Sequence, residues 1–200
     1  YSSFDHVLDG LHSYFYTVTV SYDGFDPNEK TEFYSMEDEC EKIEQEIRKK
    51  YGGRIYLVAK IQSSMVVPFM YKMVHTGTLP KFVQKKLDKT DGGKKELYNG
   101  FLNMFGIGKG GSPWITKQSI YNQFYSDLVT KVQRGIDVPG TTIHVFYTTK
   151  MGEKYEKRYC TYFKNPDIRK HNMQHEELFF CHSAEWVEEV RKAVELPDEI

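Results

Sequence analysis

The chain has 200 residues, 40% apolar and 28% charged, and its 27 basic and 28 acidic side chains leave a net charge of -1. That composition is globular, and neither a disordered chain nor a collagen-like repeat fits it. The longest apolar stretch, Met65 to Tyr71, contains Pro68 and is far too short to span a bilayer, and the three scattered cysteines, Cys40, Cys160 and Cys181, supply no disulfide framework.

From His12 to Tyr22, Tyr14, Tyr16, Val18, Val20 and Tyr22 alternate with Phe15, Thr17, Thr19 and Ser21, which predicts a half-buried strand. Asp23-Gly24 and Asp26-Pro27-Asn28 end it with turn chemistry. Ser35 then N-caps a helix carrying Met36, Cys40, Ile43, Ile47 and Tyr51 on one face and stopped by Gly52-Gly53. Arg54 to Ile61 alternates again, so the N-terminal region predicts a right-handed βαβ unit with parallel strands. Leu79 to Leu87 and Lys94 to Phe105 predict short helices either side of Asp91-Gly92-Gly93, followed by a glycine-rich loop from Gly106 to Pro113. Ser119 to Arg134 predicts a helix with Ile120, Phe124, Leu128 and Val132 on one face. Thr141 to Lys150 and Lys154 to Phe163 predict a β-hairpin around Met151-Gly152. Asp167 to His175 reads as a helical turn, Leu178 to Cys181 as a short strand, and Ser183 as the cap of a last helix bearing Val187, Val190 and Val194. The expectation is an α+β fold: an N-terminal βαβ unit, a helical basic middle, and a C-terminal β-hairpin and helix, packed as one mixed sheet with helices. Residues 1–200 are expected to form a single domain, with a subdivision into 1–64 and 65–200 as the alternative.

The near-zero net charge hides a segregation along the chain. Residues 1–47 hold twelve acids and two bases, residues 48–175 hold 23 bases and eight acids, and residues 176–200 hold eight acids and two bases. Local fields follow local charge, so the middle of the chain is a candidate surface for phosphates or other anions. Lys81, Lys85, Lys86, Lys94, Lys95, Lys109 and Lys117 are the candidate polyanion-binding residues. They are interleaved with Phe82, Tyr98, Phe101, Phe105 and Trp114, the combination that lets lysines neutralise phosphates while rings stack on unpaired bases. Gly106-Ile107-Gly108-Lys109-Gly110-Gly111 matches the string G-x-G-x-x-G, but a dinucleotide fold needs a strand directly before it, and Tyr98 to Phe105 reads as helix. Anion binding by that loop, helped by Lys109 and Lys117, is the remaining functional reading.

His171, His175, Cys181 and His182 fall within twelve residues and form an alternative metal site, because two histidines at i, i+4 and one thiolate or imidazole from a return strand make a zinc-like set. The main expectation is that no metal or cofactor is held. The run Val74-His75-Thr76-Gly77-Thr78, the glycine loop after Lys81 to Leu87, and Tyr121 together resemble the histidine–tyrosine–glutamate class of ADP-ribosyltransferases. The resemblance implies NAD as cofactor, with His75 on the nicotinamide ribose, Tyr121 stacked on nicotinamide, and Glu176 or Glu177 promoting glycosidic cleavage just before a strand. In that family His is followed directly by Gly, whereas Thr76 intervenes here.

With no intact catalytic constellation, separated charge blocks and fifteen tyrosines, the favoured expectation is a non-enzymatic interaction module, a subunit of a larger assembly. Its partners are other proteins or further copies of itself, with nucleic acid or another polyanion on the basic surface, in an intracellular, reducing compartment. An ADP-ribosyltransferase-like enzyme and a single-stranded nucleic-acid-binding protein are the alternatives.

Overall fold

A computed structural model describes residues 4–51, 67–104 and 106–194. In chain order the elements are α1 (Asp5–His12), α2 (Met36–Lys50), α3 (Val67–Thr76), α4 (Lys81–Leu87), α5 (Gly92–Met104), α6 (Lys117–Val129), β1 (His144–Thr148), a single 3-10 turn (Thr149–Met151), α7 (Glu153–Tyr162), β2 (Asp167–His171), α8 (Glu177–Cys181) and α9 (Ser183–Ala193). The fold is a mixture of helix and strand in which helix dominates. No helix among the described residues is long and apolar enough to cross a membrane. The chain divides into two compact units: the first contains residues 1–2, 20–89 and 102–130, the second 3–19, 90–101 and 131–200.

In the first unit α3 packs on α6. Val74, Ile115 and Ile120 form its buried centre, with Phe25, Tyr71 and Phe124 against them. Phe33 is fully buried between the rings of Tyr22 and Phe25, both 6.0 Å away. The chain around Phe33 has no ladder partner among the described residues, so its backbone groups need other partners. The polar side of α6 supplies them: Ser119 Oγ accepts from the Phe33 N–H at 3.2 Å, Asn122 donates to the Phe33 carbonyl at 2.8 Å, and Ser126 Oγ accepts from the Met36 N–H at 3.0 Å. Just before α2, Ser35 accepts from the Asp38 N–H at 3.1 Å and caps the helix as its sequence predicts.

The second unit places a βαβ arrangement where the hairpin was predicted. β1 and β2 run parallel, His144 opposite Asp167 through Thr148 opposite His171, and α7 lies in the crossover between them. Lys154 to Phe163 carries two periods at once. Read at helical spacing, Tyr155, Tyr159 and Tyr162 share a side, and these are half-buried while Lys154, Lys157, Arg158 and Thr161 are exposed. Tyr159 meets the buried Tyr147 of β1 at 6.1 Å, edge to face. Packing on that ring favours helix over a second antiparallel strand. Two further expectations change accordingly: residues 167–171 form a strand instead of a helical turn, and residues 177–181 form a short helix instead of a strand. Among the described residues the sheet has two parallel strands, so the expected larger mixed sheet is absent there.

The predicted N-terminal βαβ unit is also revised. Helix α1, which buries Val7 and Leu11, precedes the predicted first strand and takes its His12, and residues 15–22 have no regular secondary structure and no ladder partner among the described residues. Alternation makes a segment fit for a strand, but a strand also needs a neighbour. Tyr16, Val18 and Val20 accordingly face solvent, at 89%, 51% and 57% exposure. The partner expected from Arg54 to Ile61 lies outside the described residues. α1 instead packs on α9, where Val7 and Leu11 join Leu178, Phe179, Trp186, Val187 and Val190 in the buried cluster.

Removing the Ser119 hydroxyl leaves the buried Phe33 N–H unsatisfied. Ser119→Ala is therefore expected to lower unfolding free energy by about 1–3 kcal/mol with an unchanged urea m-value. A loss under about 0.5 kcal/mol contradicts this reading of α6.

Candidate functional site

The seven candidate lysines sit on helix starts, short helices and a loop, all of them exposed. α4 begins after Pro80, whose carbonyl accepts from the Val83 and Gln84 N–H groups at 2.9 and 3.0 Å. The helix buries Leu87 and turns Lys81, Phe82, Lys85 and Lys86 outward. At the start of α5, Asp91 accepts from the Lys94 N–H at 3.1 Å, and Lys94, Lys95 and Tyr98 point to solvent. Lys117 opens α6 beside its cap Thr116, which accepts from the Ser119 N–H at 3.0 Å. Lys81, Lys85, Lys86, Lys109 and Lys117 belong to the first unit, Lys94 and Lys95 to the second. Of the interleaved rings, Phe82, Tyr98 and Trp114 are exposed; Phe105 lies outside the described residues.

Charge pairing is unevenly distributed. Ion pairs among the described residues join near neighbours along a helix or bases elsewhere in the chain: Arg48 pairs with Glu44 at 2.6 Å, Lys50 with Glu46 at 2.5 Å, Arg191 with Glu188 at 2.7 Å, Lys192 with Glu189 at 3.5 Å and Lys164 with Asp137 at 2.6 Å. Among the described residues no carboxylate lies within 4.0 Å of Lys81, Lys85, Lys94, Lys95, Lys109 or Lys117. Their charges remain available to an outside anion.

The glycine loop is built for the chain's own backbone. Gly106, Gly108, Gly110 and Gly111 all have positive φ, which glycine alone adopts without strain. The N–H groups of Gly106, Ile107, Gly108, Lys109, Gly111 and Ser112 donate to the carbonyls of Asn103, Leu102, Gly77, Gly106, Gly106 and Val74. Those amides are therefore spent, and the loop does not form a phosphate cradle of the P-loop kind. Its preceding element is α5, a helix, which also departs from a dinucleotide-binding unit. What the loop contributes to an anion surface is the exposed Lys109.

His75 lies in the last turn of α3 with its ring 5.0 Å from that of Tyr71, and its Nδ1 is buried without a hydrogen-bond partner. Tyr121 is exposed on α6 and stacked on Tyr125 at 6.2 Å. Both lie in the first unit, whereas Glu176 and Glu177 lie in the second. The two glutamates introduce the helix α8, where the resemblance implied a strand, and Glu177 accepts from the Gln174 N–H at 2.6 Å as a local cap.

The histidine and cysteine group does not converge. His171 is a largely buried β2 residue 3.9 Å from Glu185 and 4.0 Å from Glu189. His175 and His182 are exposed beside Glu176 and Glu177. Burial, then the charges of Glu177 and Glu96, push the Cys181 thiol up. Among the described residues the one set of three donors close enough to share an ion is Asp23, Asp38 and Glu39. Sequence reasoning missed it because the set joins a turn residue to the first turn of α2; the run of acids after Ser35 was its only visible sign. On α7 a hollow lined by Glu153, Glu156, Lys157, Cys160 and Thr161 is open to solvent.

No protein-family model matches the chain, and comparison with curated proteins and with solved structures finds no match.

Two substitutions test these local assignments. A Cβ on Gly77, whose φ is +63°, would collide with the backbone of Gly111, so Gly77→Ala is expected to destabilise the protein by roughly 2 kcal/mol or more, read by urea denaturation. A variant as stable as the parent would refute the close approach. Hydrogen bonds from His144 and then Arg169 hold the Asp167 carboxyl below its usual value of 3.8. A lowered folded pKa gives stability above the ordinary value, lost as pH falls through the folded one. Asp167→Asn should therefore lower Tm at pH 7 and converge with the parent as the pH falls below the folded value, whereas a pH-independent difference would count against it.

Proposed function

We propose that the protein is a non-enzymatic interaction module, a subunit of a larger assembly, whose central lysines contact a polyanion. The observation that carries this reading is the exposure of Lys81, Lys85, Lys94, Lys95, Lys109 and Lys117 with no described carboxylate within 4.0 Å. Uncompensated lysines attract phosphates or sulfates by counterion release, which needs no recessed pocket. Exposed Phe82, Tyr98 and Trp114 add rings able to stack on unpaired bases, which favours single-stranded nucleic acid among polyanions. The exposed α6 residues Tyr121, Tyr125 and Leu128 supply area for protein contacts of the kind an assembly subunit uses.

The test is binding to heparin and to a single-stranded oligonucleotide across a salt series. Changing Lys81, Lys85, Lys109 and Lys117 to Glu in one variant, and Lys94 and Lys95 to Glu in another, is expected to lower elution salt on both columns. Each lost phosphate contact should flatten the log–log salt dependence by about 0.7 for a single strand. Phe82→Ala with Tyr98→Ala should weaken the oligonucleotide and leave heparin unchanged. Parent elution at low salt, unaltered by charge reversal, would remove the polyanion from the proposal. A stable lone monomer that retains no partner would remove the assembly.

A further inference from the structure

We propose that Asp23, Asp38 and Glu39 bind a hard divalent cation, calcium or magnesium, in a site that the Lys42 ammonium occupies when no such ion is bound. One ligand oxygen from each carboxylate lies within 4.8 Å of the others. Lys42 Nζ stands 2.5 Å from Asp23 Oδ2, 2.5 Å from Asp38 Oδ2 and 3.7 Å from Glu39 Oε1. An ammonium among three carboxylates marks where positive charge is favoured, and it supplies one charge against three.

The second observation is Glu39 itself. It is only 3% exposed, an uncommon burial for a glutamate in a first helical turn. Its Oε2 accepts from the Asp23 N–H at 3.2 Å, but its buried Oε1 has no hydrogen-bond partner. At 3.7 Å the ammonium is too far to donate to it. A buried carboxylate oxygen without a donor is costly, and an ion seated between the three groups would satisfy it directly. Burial raises the Glu39 carboxyl above its ordinary range, and hydrogen bonds to Asp23 and then Asp38 raise the Lys42 ammonium above its own.

The frame is fixed and the plug is movable. Asp38 and Glu39 are set by the capped first turn of α2, and Asp23 is held by the hydrogen bond its backbone N–H donates to Glu39 Oε2. The next residue, Gly24, has φ +76° and donates to Thr31 Oγ1 at 2.8 Å. Lys42 is 45% exposed on a flexible four-carbon stem and can swing into solvent. The donors are all oxygen, which selects calcium and magnesium over zinc or copper, and the exposed side leaves room for waters to complete the shell. Competition from Lys42 and the positive end of α2 both weaken the site, so a dissociation constant on the order of 0.1–1 mM is expected. This assignment is independent of the lysine surface.

Titration of the full chain with calcium chloride alone, and with magnesium chloride alone, by isothermal calorimetry tests it. The expected result is one saturable site. Lys42→Met should tighten it about tenfold by removing the competitor, and Asp38→Asn should weaken it about tenfold. Glu39→Gln should abolish it; circular dichroism checks its fold, and the more exposed Asp38→Asn reports on the site independently of that buried position. Absence of saturable binding up to about 10 mM in both the parent and Lys42→Met overturns the proposal. Binding that survives Asp38→Asn and Glu39→Gln unchanged overturns it too.

Discussion

The first unit depends on how the chain around Phe33 satisfies its backbone without a ladder partner among the described residues. Burying Phe33 brings amide and carbonyl groups into an environment where each must find a partner or cost a few kcal/mol. Ser119, Asn122 and Ser126 provide those partners from one side of α6, while Ile120 joins the core beside Val74 and Ile115. The helix thus has two working sides, one polar and one apolar, and the turn at Gly24 and the start of α2 are positioned from the polar one. Gly24 can approach so closely because it lacks a Cβ, which would collide with Ser119 Oγ. Displacing α6 would release the segment from Tyr22 to Met36 and with it the carboxylates at the head of α2.

The second unit solves the same accounting differently. β1 and β2 pair with each other through five residues, and Ile136 adds one further parallel bridge to Phe163. Aromatic edges then lock the layers: Phe179 meets Trp186 at 5.2 Å and Phe4 at 5.3 Å, and Phe146 meets Trp186 at 6.5 Å. The polar residues His144, Asp167 and Arg169 form a short hydrogen-bonded chain along the strand ends. Helix packing and ring contacts, more than sheet extent, give this unit its order.

Long periodic segments were the legible part of the chain. α2 starts after Ser35 as its cap predicts, although its buried residue is Glu39 and Cys40 of the predicted face is exposed; α6 starts at Lys117 behind Thr116, two residues before the predicted Ser119. Short segments were not legible. Lys154 to Phe163 and Leu178 to Cys181 carry aromatic residues that suit either period, and the deciding term is which buried ring they meet, Tyr147 or Trp186. The face predicted for α6 was half right in the same way: Ile120 is buried, but the helix ends at Val129, and Leu128 and Val132 are exposed. For the candidate surface, charge blocks identified which lysines are exposed, since lysine is seldom buried. Nothing in the sequence revealed that the glycine loop spends its amides on Gly77 and Val74, or that Asp23 meets Glu39, because both depend on pairs distant along the chain.

The docking of α1 on α9 has a consequence for the order of events during synthesis. His6 Nε2 bonds the carbonyl of Phe179, 173 residues away, and Val7 and Leu11 are buried largely by residues 178–190. At translation speeds of about 5–20 residues per second, the nascent α1 waits on the order of ten seconds or more before its cover exists. Closing so long a loop adds little to the equilibrium cost, since that term grows only logarithmically, but it raises the contact order and slows the final step. The apolar side of α1 is thus without its cover, and open to chaperones, until residues 178–190 have been made.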